Sequence, residues 1–194
     1  MIPFDSISTI PALPNVGSQA NVAGLRRLWL IETRHLLGFI EPRTLGGFIS
    51  SNWLLAPFSL QLGEDTRIVS VKFPASRGSY NQKATVGIQC VLYDQSLTFI
   101  APRDNYTATL FAQRVAGRKF VAIYEDANGL RKLIGTPKQP LRFTSELRTN
   151  PSAWSFSLSC QTKQPSYAWT DDNLLDTIGL DADFSFGFDT DFNS

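Results

Sequence analysis

The sequence predicts a mainly β protein, an antiparallel β-sandwich or partial barrel that carries one α-helix and extended arms at both ends. Three observations lead there. Short apolar runs alternate with period two over most of the chain. Asn128-Gly129 separates two such runs, and Asn-Gly is the strongest short hairpin signal because both positions tolerate positive φ. Only one stretch, 103–119, shifts to helical spacing. With 194 residues, 43% of them hydrophobic, the chain suits one domain with a true core.

Residues 1–24 hold Pro3, Pro11, Pro14, Gly17 and Gly24 among scattered aliphatics and read as an extended arm. The body, 25–169, opens with strand-like runs at 26–32 and 35–41, then a long extended stretch at 46–63 interrupted by Pro57. Residues 66–73 alternate as a half-buried strand, and 74–82 read as a loop. Residues 83–94 place Val86, Ile88, Cys90 and Leu92 on one face of a strand.

The helix is expected at about 104–116, capped by Asp104 or Asn105 and ended by Gly117. Its apolar stripe would contain Tyr106, Thr107, Leu110, Phe111 and Val115. A hairpin of 119–126 and 130–135 follows, then strands at 141–148 and 153–163. In the last of these Trp154, Phe156, Leu158 and Cys160 share the core face, and Ser155, Ser157 and Ser159 the opposite one. Trp29 and Trp154 are expected in the core. Cys90 and Cys160 are expected to be buried free thiols, because the start of the chain lacks the basic and long apolar regions of a secretory signal. No run approaches the length of a membrane span, so folding in a host cytoplasm is the expectation.

Chemistry is weakly signalled. One histidine, His35, stands between Arg34 and Leu36 without a catalytic motif, and HExxH, GxSxG, a P-loop and CxxC are all missing. The oxygen-rich "YEDANG" (124–129) resembles part of a calcium loop, but a hairpin turn explains Asp126, Asn128 and Gly129. The reading is therefore of a protein with no catalytic residues, no cofactor and no metal.

Charge is more informative. All 18 basic residues lie between Arg26 and Lys163, whereas 171–194 hold seven aspartates and no base. The segment 170–194 is thus an acidic arm, and an unusual one, because Phe184, Phe186, Phe188 and Phe192 fall in its last eleven residues. In a strand the first three point the same way. Burying each ring is worth roughly 1.5–3 kcal/mol, nearly cancelled by about 1–2 kcal/mol per residue of backbone ordering. Strand addition and charge attraction must supply the remainder. These rings, with Asp181, Asp183, Asp189 and Asp191, are expected to dock on a neighbouring subunit. Arg114, Arg118, Lys119, Arg131, Lys132 and Lys138 are the candidate basic docking face, nucleic-acid binding being the other reading of that patch. Trp53 and Trp169 are candidates for stacking on a glycan or a partner.

The segments "GLRRLWLIE", "FVAIYEDANGLRKLIGTPKQPLRF" and "SFSLSCQTKQPSYAW", framed by two arms, resemble small tail or tail-connector proteins of tailed bacteriophages of Bacteroidetes hosts. The likeness covers about residues 24–169 and consists of turn and strand patterns. It implies a non-enzymatic virion subunit of a tail tube, connector ring or baseplate. Its partners would be copies of itself and other virion proteins, with DNA passing through the assembly without specific contacts and no membrane involved. A carbohydrate- or host-surface-binding β-sandwich is the alternative, resting on Trp53 and Trp169.

Overall fold

The structure is a computed structural model that describes residues 24–39, 54–55, 60–63, 66, 68–72, 77–87, 90–102, 106–149, 152–169 and 182–185, with backbone only at 54–55 and 182–185. The N-terminal arm before Gly24 lies outside them. The described residues are mainly β, with largely antiparallel pairing, one α-helix and a short 3-10 turn at Thr33–His35. Strands β1 (Leu25–Glu32), β2 (Leu36–Phe39), β3 (Leu54–Leu55), β4 (Leu60–Leu62) and β5 (Ile68–Lys72) are followed by β6 (Gly78–Val86) and β7 (Val91–Pro102). Helix α1 (Tyr106–Val115) leads to β8 (Lys119–Asp126), β9 (Arg131–Ile134), β10 (Leu141–Thr149), β11 (Ser152–Thr162), β12 (Tyr167–Trp169) and β13 (Ala182–Ser185).

The main sheet runs β13-β5-β1-β8-β10-β11-β7-β6, with β9, β12 and β3 branching from β8. It curls until Tyr80 on β6 meets Tyr124 on β8, ring centroids 4.7 Å apart, yet no ladder between the end strands β6 and β13 closes it into a barrel among the described residues. β2 and β4 form a separate small sheet.

β1 and β8 occupy the centre and are buried on both faces. Leu28, Leu30, Phe120, Ala122 and Tyr124 enter one core with Val71, Leu97, Phe143 and Leu158. Trp29, Ile31, Val121 and Ile123 enter a second with Leu60, Ile68, Leu133, Tyr167 and Trp169, against which Leu36, Phe39 and Leu62 of the small sheet pack. A strand covered on both sides reads as a continuous apolar run, which is what "KFVAIY" shows. The same position explains β5. It was expected to be half-buried, but its Ile68 and Ser70 face the second core and Val71 the first.

The first core is locked by four rings. Phe111 of α1 packs edge-on against Phe99, Phe143 and Phe156, at centroid distances of 6.2, 5.9 and 5.2 Å. The buried helix stripe is Ala108, Phe111, Ala112 and Val115. This differs from the expected stripe: Tyr106 is 80% exposed, and the two alanines let the helix approach closely. Gly117, at φ 72°, ends the helix as expected.

Two further expectations are corrected. Residues 78–82 are strand, because pairing with β7 (Gly78 opposite Phe99, Tyr80 opposite Leu97) outweighs the local turn formers. The single strand expected at 83–94 is the tip of a hairpin: Val86 pairs with Val91, and the Gly87 amide donates to the Cys90 carbonyl at 2.9 Å. Cys90 is therefore exposed, contrary to expectation, whereas Cys160 is half-buried, and both are free.

Candidate functional site: a cationic trough beside the 135–139 turn

Thr136 and Gln139 exchange backbone hydrogen bonds of 3.0 and 3.1 Å, making a tight turn with Pro137 at its second position. Gly135, at φ 73°, lets the chain enter that turn, and its Cβ position lies 3.1 Å from Leu141 Cγ. Two adjoining depressions, of about 380 and 510 Å³, share Lys138 and Gln139 at this turn. The floor of the smaller is held by Gln95, a buried amide that uses both its ends. Its Nε2 donates to Thr162 Oγ1 at 3.1 Å and to the Gln164 carbonyl at 3.2 Å, while Oε1 accepts the Gly135 amide at 3.5 Å and the Cys160 thiol at 3.8 Å. Tyr167 donates to Gln164 Oε1, and the Lys163 amide donates to Gln139 Oε1 at 3.3 Å. Such a saturated network fixes the floor in one arrangement.

The rim is cationic. Lys138 and Lys163 line the smaller depression, and Lys119, Lys138 and Arg142 the larger; among the described residues neither is lined by an acidic side chain. Lys119 and Arg142 stand directly opposite each other on β8 and β10. Like charges so placed destabilise a sheet, and an anion seated between them would relieve the repulsion. Cys160 in the floor is no nucleophile at neutral pH, because burial outweighs the Gly135 amide and pushes its thiol up to about 11.

The six expected basic residues do not form one face. Lys119 and Lys138 belong to the trough. Arg118 instead reaches Glu32 at 3.0 Å, where Arg34 also pairs at 3.0 Å. Arg131 binds Glu125 at 2.8 Å and lies over the Trp29 ring at 5.6 Å, at the far end of the β8–β9 hairpin, with Lys132 beside it in register with Tyr124. Arg114 is exposed in the last turn of α1. Arg142 and Lys163 were not foreseen, because their proximity to Lys119 and Lys138 depends on cross-strand register.

Trp169, expected to stack on a glycan or partner, is 5% exposed in the second core, held by β12 pairing with both β9 and β3, so no ligand reaches it. Trp53 lies outside the described residues. Trp29 is buried as expected, and Trp154 is half-buried, stacked on Phe156 at 5.9 Å. Asp126 serves the hairpin turn: its Oδ1 accepts the Asn128 and Leu130 amides at 2.9 and 2.7 Å. Among the described residues no group of three or more His, Cys, Asp or Glu side chains is placed to hold a metal.

In the acidic arm, Asp183 and Phe184 fall within β13, which pairs in parallel with β5 of its own chain, Phe184 opposite Val71. The arm is expected to dock on a neighbouring subunit; this segment instead pairs with its own chain and covers β5, which would otherwise be an open edge beside the core. Asp181, Phe186, Phe188, Asp189, Asp191 and Phe192 lie outside the described residues. Compared with known proteins, the chain matches no protein-family model, no curated protein and no solved structure.

Proposed function

We propose that the chain is a non-enzymatic structural subunit that assembles with copies of itself, as in the tail tube, connector ring or baseplate of a tailed phage. The observation that carries this reading is β13. A segment separated from the last body strand by twelve residues joins the sheet through backbone pairing at an open edge, and backbone pairing at an open edge is the means by which arm-bearing subunits link. Supporting it is the β6–β7 ribbon. Beyond Tyr93, where β11 stops pairing, it runs on as two strands alone. Ala84, Val86 and Val91 lie on the side that continues the core face, all exposed. A two-stranded ribbon is marginal in water by itself, and an apolar side without cover suits contact with a neighbour.

The experiment is mass spectrometry of purified virions alongside size exclusion of the chain ended at Trp169. Under this reading the protein is a virion component, and the shortened chain keeps a folded body but loses assembly. Its absence from particles, or an unchanged oligomer after truncation, overturns the reading.

A further inference from the structure

We infer that Asn128-Gly129, in the turn of the β8–β9 hairpin, is a self-modification site: the side-chain amide leaves as ammonia, aspartate or isoaspartate remains, and Asp126 gates the step.

The chemistry needs only this chain and water. The Gly129 backbone nitrogen gives up its proton and attacks Cγ of Asn128. An N–Cγ bond forms, the Cγ–Nδ2 bond breaks, and Nδ2 departs as ammonia, carrying the proton that Gly129 gave up. Water then opens the five-membered imide at one of its two carbonyls, leaving aspartate or isoaspartate; nothing is oxidised or reduced. Glycine permits the attack because no Cβ hinders its nitrogen. Of the asparagines in the sequence, Asn128 alone precedes a glycine. It is exposed, and the Cβ position of Gly129 has open space around it, so water reaches the imide.

Against this stands the turn itself. All four amides from Ala127 to Leu130 are committed as donors. Ala127 donates to the Gly24 carbonyl at 3.0 Å, and Gly129 to the Asp126 carbonyl at 3.1 Å. Asn128 and Leu130 donate to Asp126 Oδ1 at 2.9 and 2.7 Å. The Asp126 amide in turn donates to the Leu130 carbonyl at 3.0 Å, and Gly129 has φ 85°, the pattern of a turn followed by a left-handed glycine. The attacking nitrogen therefore holds its proton in a hydrogen bond, and the Asp126 carboxylate in the same turn disfavours the anion that nitrogen must become. Conversion waits for the turn to open. Isoaspartate then adds one carbon to the main chain between residues 128 and 129. That loosens a hairpin whose register sets Arg131 on Glu125 at 2.8 Å and over the Trp29 ring at 5.6 Å. The product is a permanent record of opening at this end of the second core.

The test incubates the folded full-length chain, its Asp126→Ala and Asp126→Asn variants, and a synthetic peptide of residues 124–132 in one mildly alkaline buffer. Peptide mapping follows aspartate and isoaspartate at position 128, and circular dichroism checks that each variant is folded. The native chain should convert at least about tenfold more slowly than the peptide, and Asp126→Ala should recover most of that factor, because it removes two charge-assisted hydrogen bonds. Asp126→Asn keeps the oxygen acceptor without the charge and should fall between them. If Asp126→Ala does not fold, the native chain set against Asp126→Asn and the peptide decides the matter. A native chain that converts as fast as the peptide, a folded variant that converts no faster than the native chain, or a peptide that does not convert at 128 overturns the inference.

Discussion

β8 and β6 are strands of nearly equal length in one sheet, and they have opposite fates. In β8 five consecutive residues, Phe120–Tyr124, are buried because both faces are covered, one by α1 and the curled sheet, the other by β2, β4 and β12. In β6 every residue from Asn81 to Val86 is exposed. The difference follows from position: β8 has neighbours on both edges and both faces, whereas among the described residues β6 pairs with β7 alone. Burial is concentrated at β1 and β8, and the tip of β6 is left exposed.

The largest effect should come from emptying the centre. Trp29→Ala removes a ring that is 2% exposed, and Phe111→Ala removes the helix anchor among three other rings. Each should cost about 3–5 kcal/mol in denaturant unfolding. Next come the groups that shape the trough. Gln95→Ala takes the acceptor from the Gly135 amide and the donor from Thr162 Oγ1 and the Gln164 carbonyl in a buried network and should cost about 1–3 kcal/mol. Gly135→Ala should destabilise more than Gly129→Ala: both have positive φ, but a Cβ at 135 meets Leu141 at 3.1 Å while 129 faces open space.

Alkaline pH should affect the centre before the ribbon. Burial pushes Tyr80 up to about 12, Cys160 up to about 11, and Tyr124 above the usual phenol range. The folded state thus holds these protons longer than the unfolded chain does, so unfolding releases protons above pH 9. Stability should be constant with respect to these groups below pH 9 and fall as pH rises through 9–12, measurable by thermal melts in that window. The smallest effect on folding should come from the ribbon. Val86→Asp, at a position 81% exposed, should change unfolding by less than about 0.5 kcal/mol while weakening association. A large loss of stability there would contradict the contrast between the two strands.

Much of the centre was legible in the sequence. β1, β8, β9, β10 and β11 follow from alternation and from Asn128-Gly129, and the helix from its change of period and Gly117. The ribbon was not, because Val86, Ile88, Cys90 and Leu92 keep their alternation through the turn, so one strand and two look alike. Trp169 was misplaced because its burial comes from long-range pairing of a three-residue strand with β9 and β3, which leaves no local periodicity. The trough was half visible. Lys119 and Lys138 were foreseen, but bringing Arg142 opposite Lys119 is a matter of register, and register is set by the whole sheet.

Sedimentation velocity of the intact chain over a range of concentrations tests the assembly account most directly. The account expects species that are multiples of the 21.6 kDa chain. A single 21.6 kDa species at every concentration and salt would contradict it.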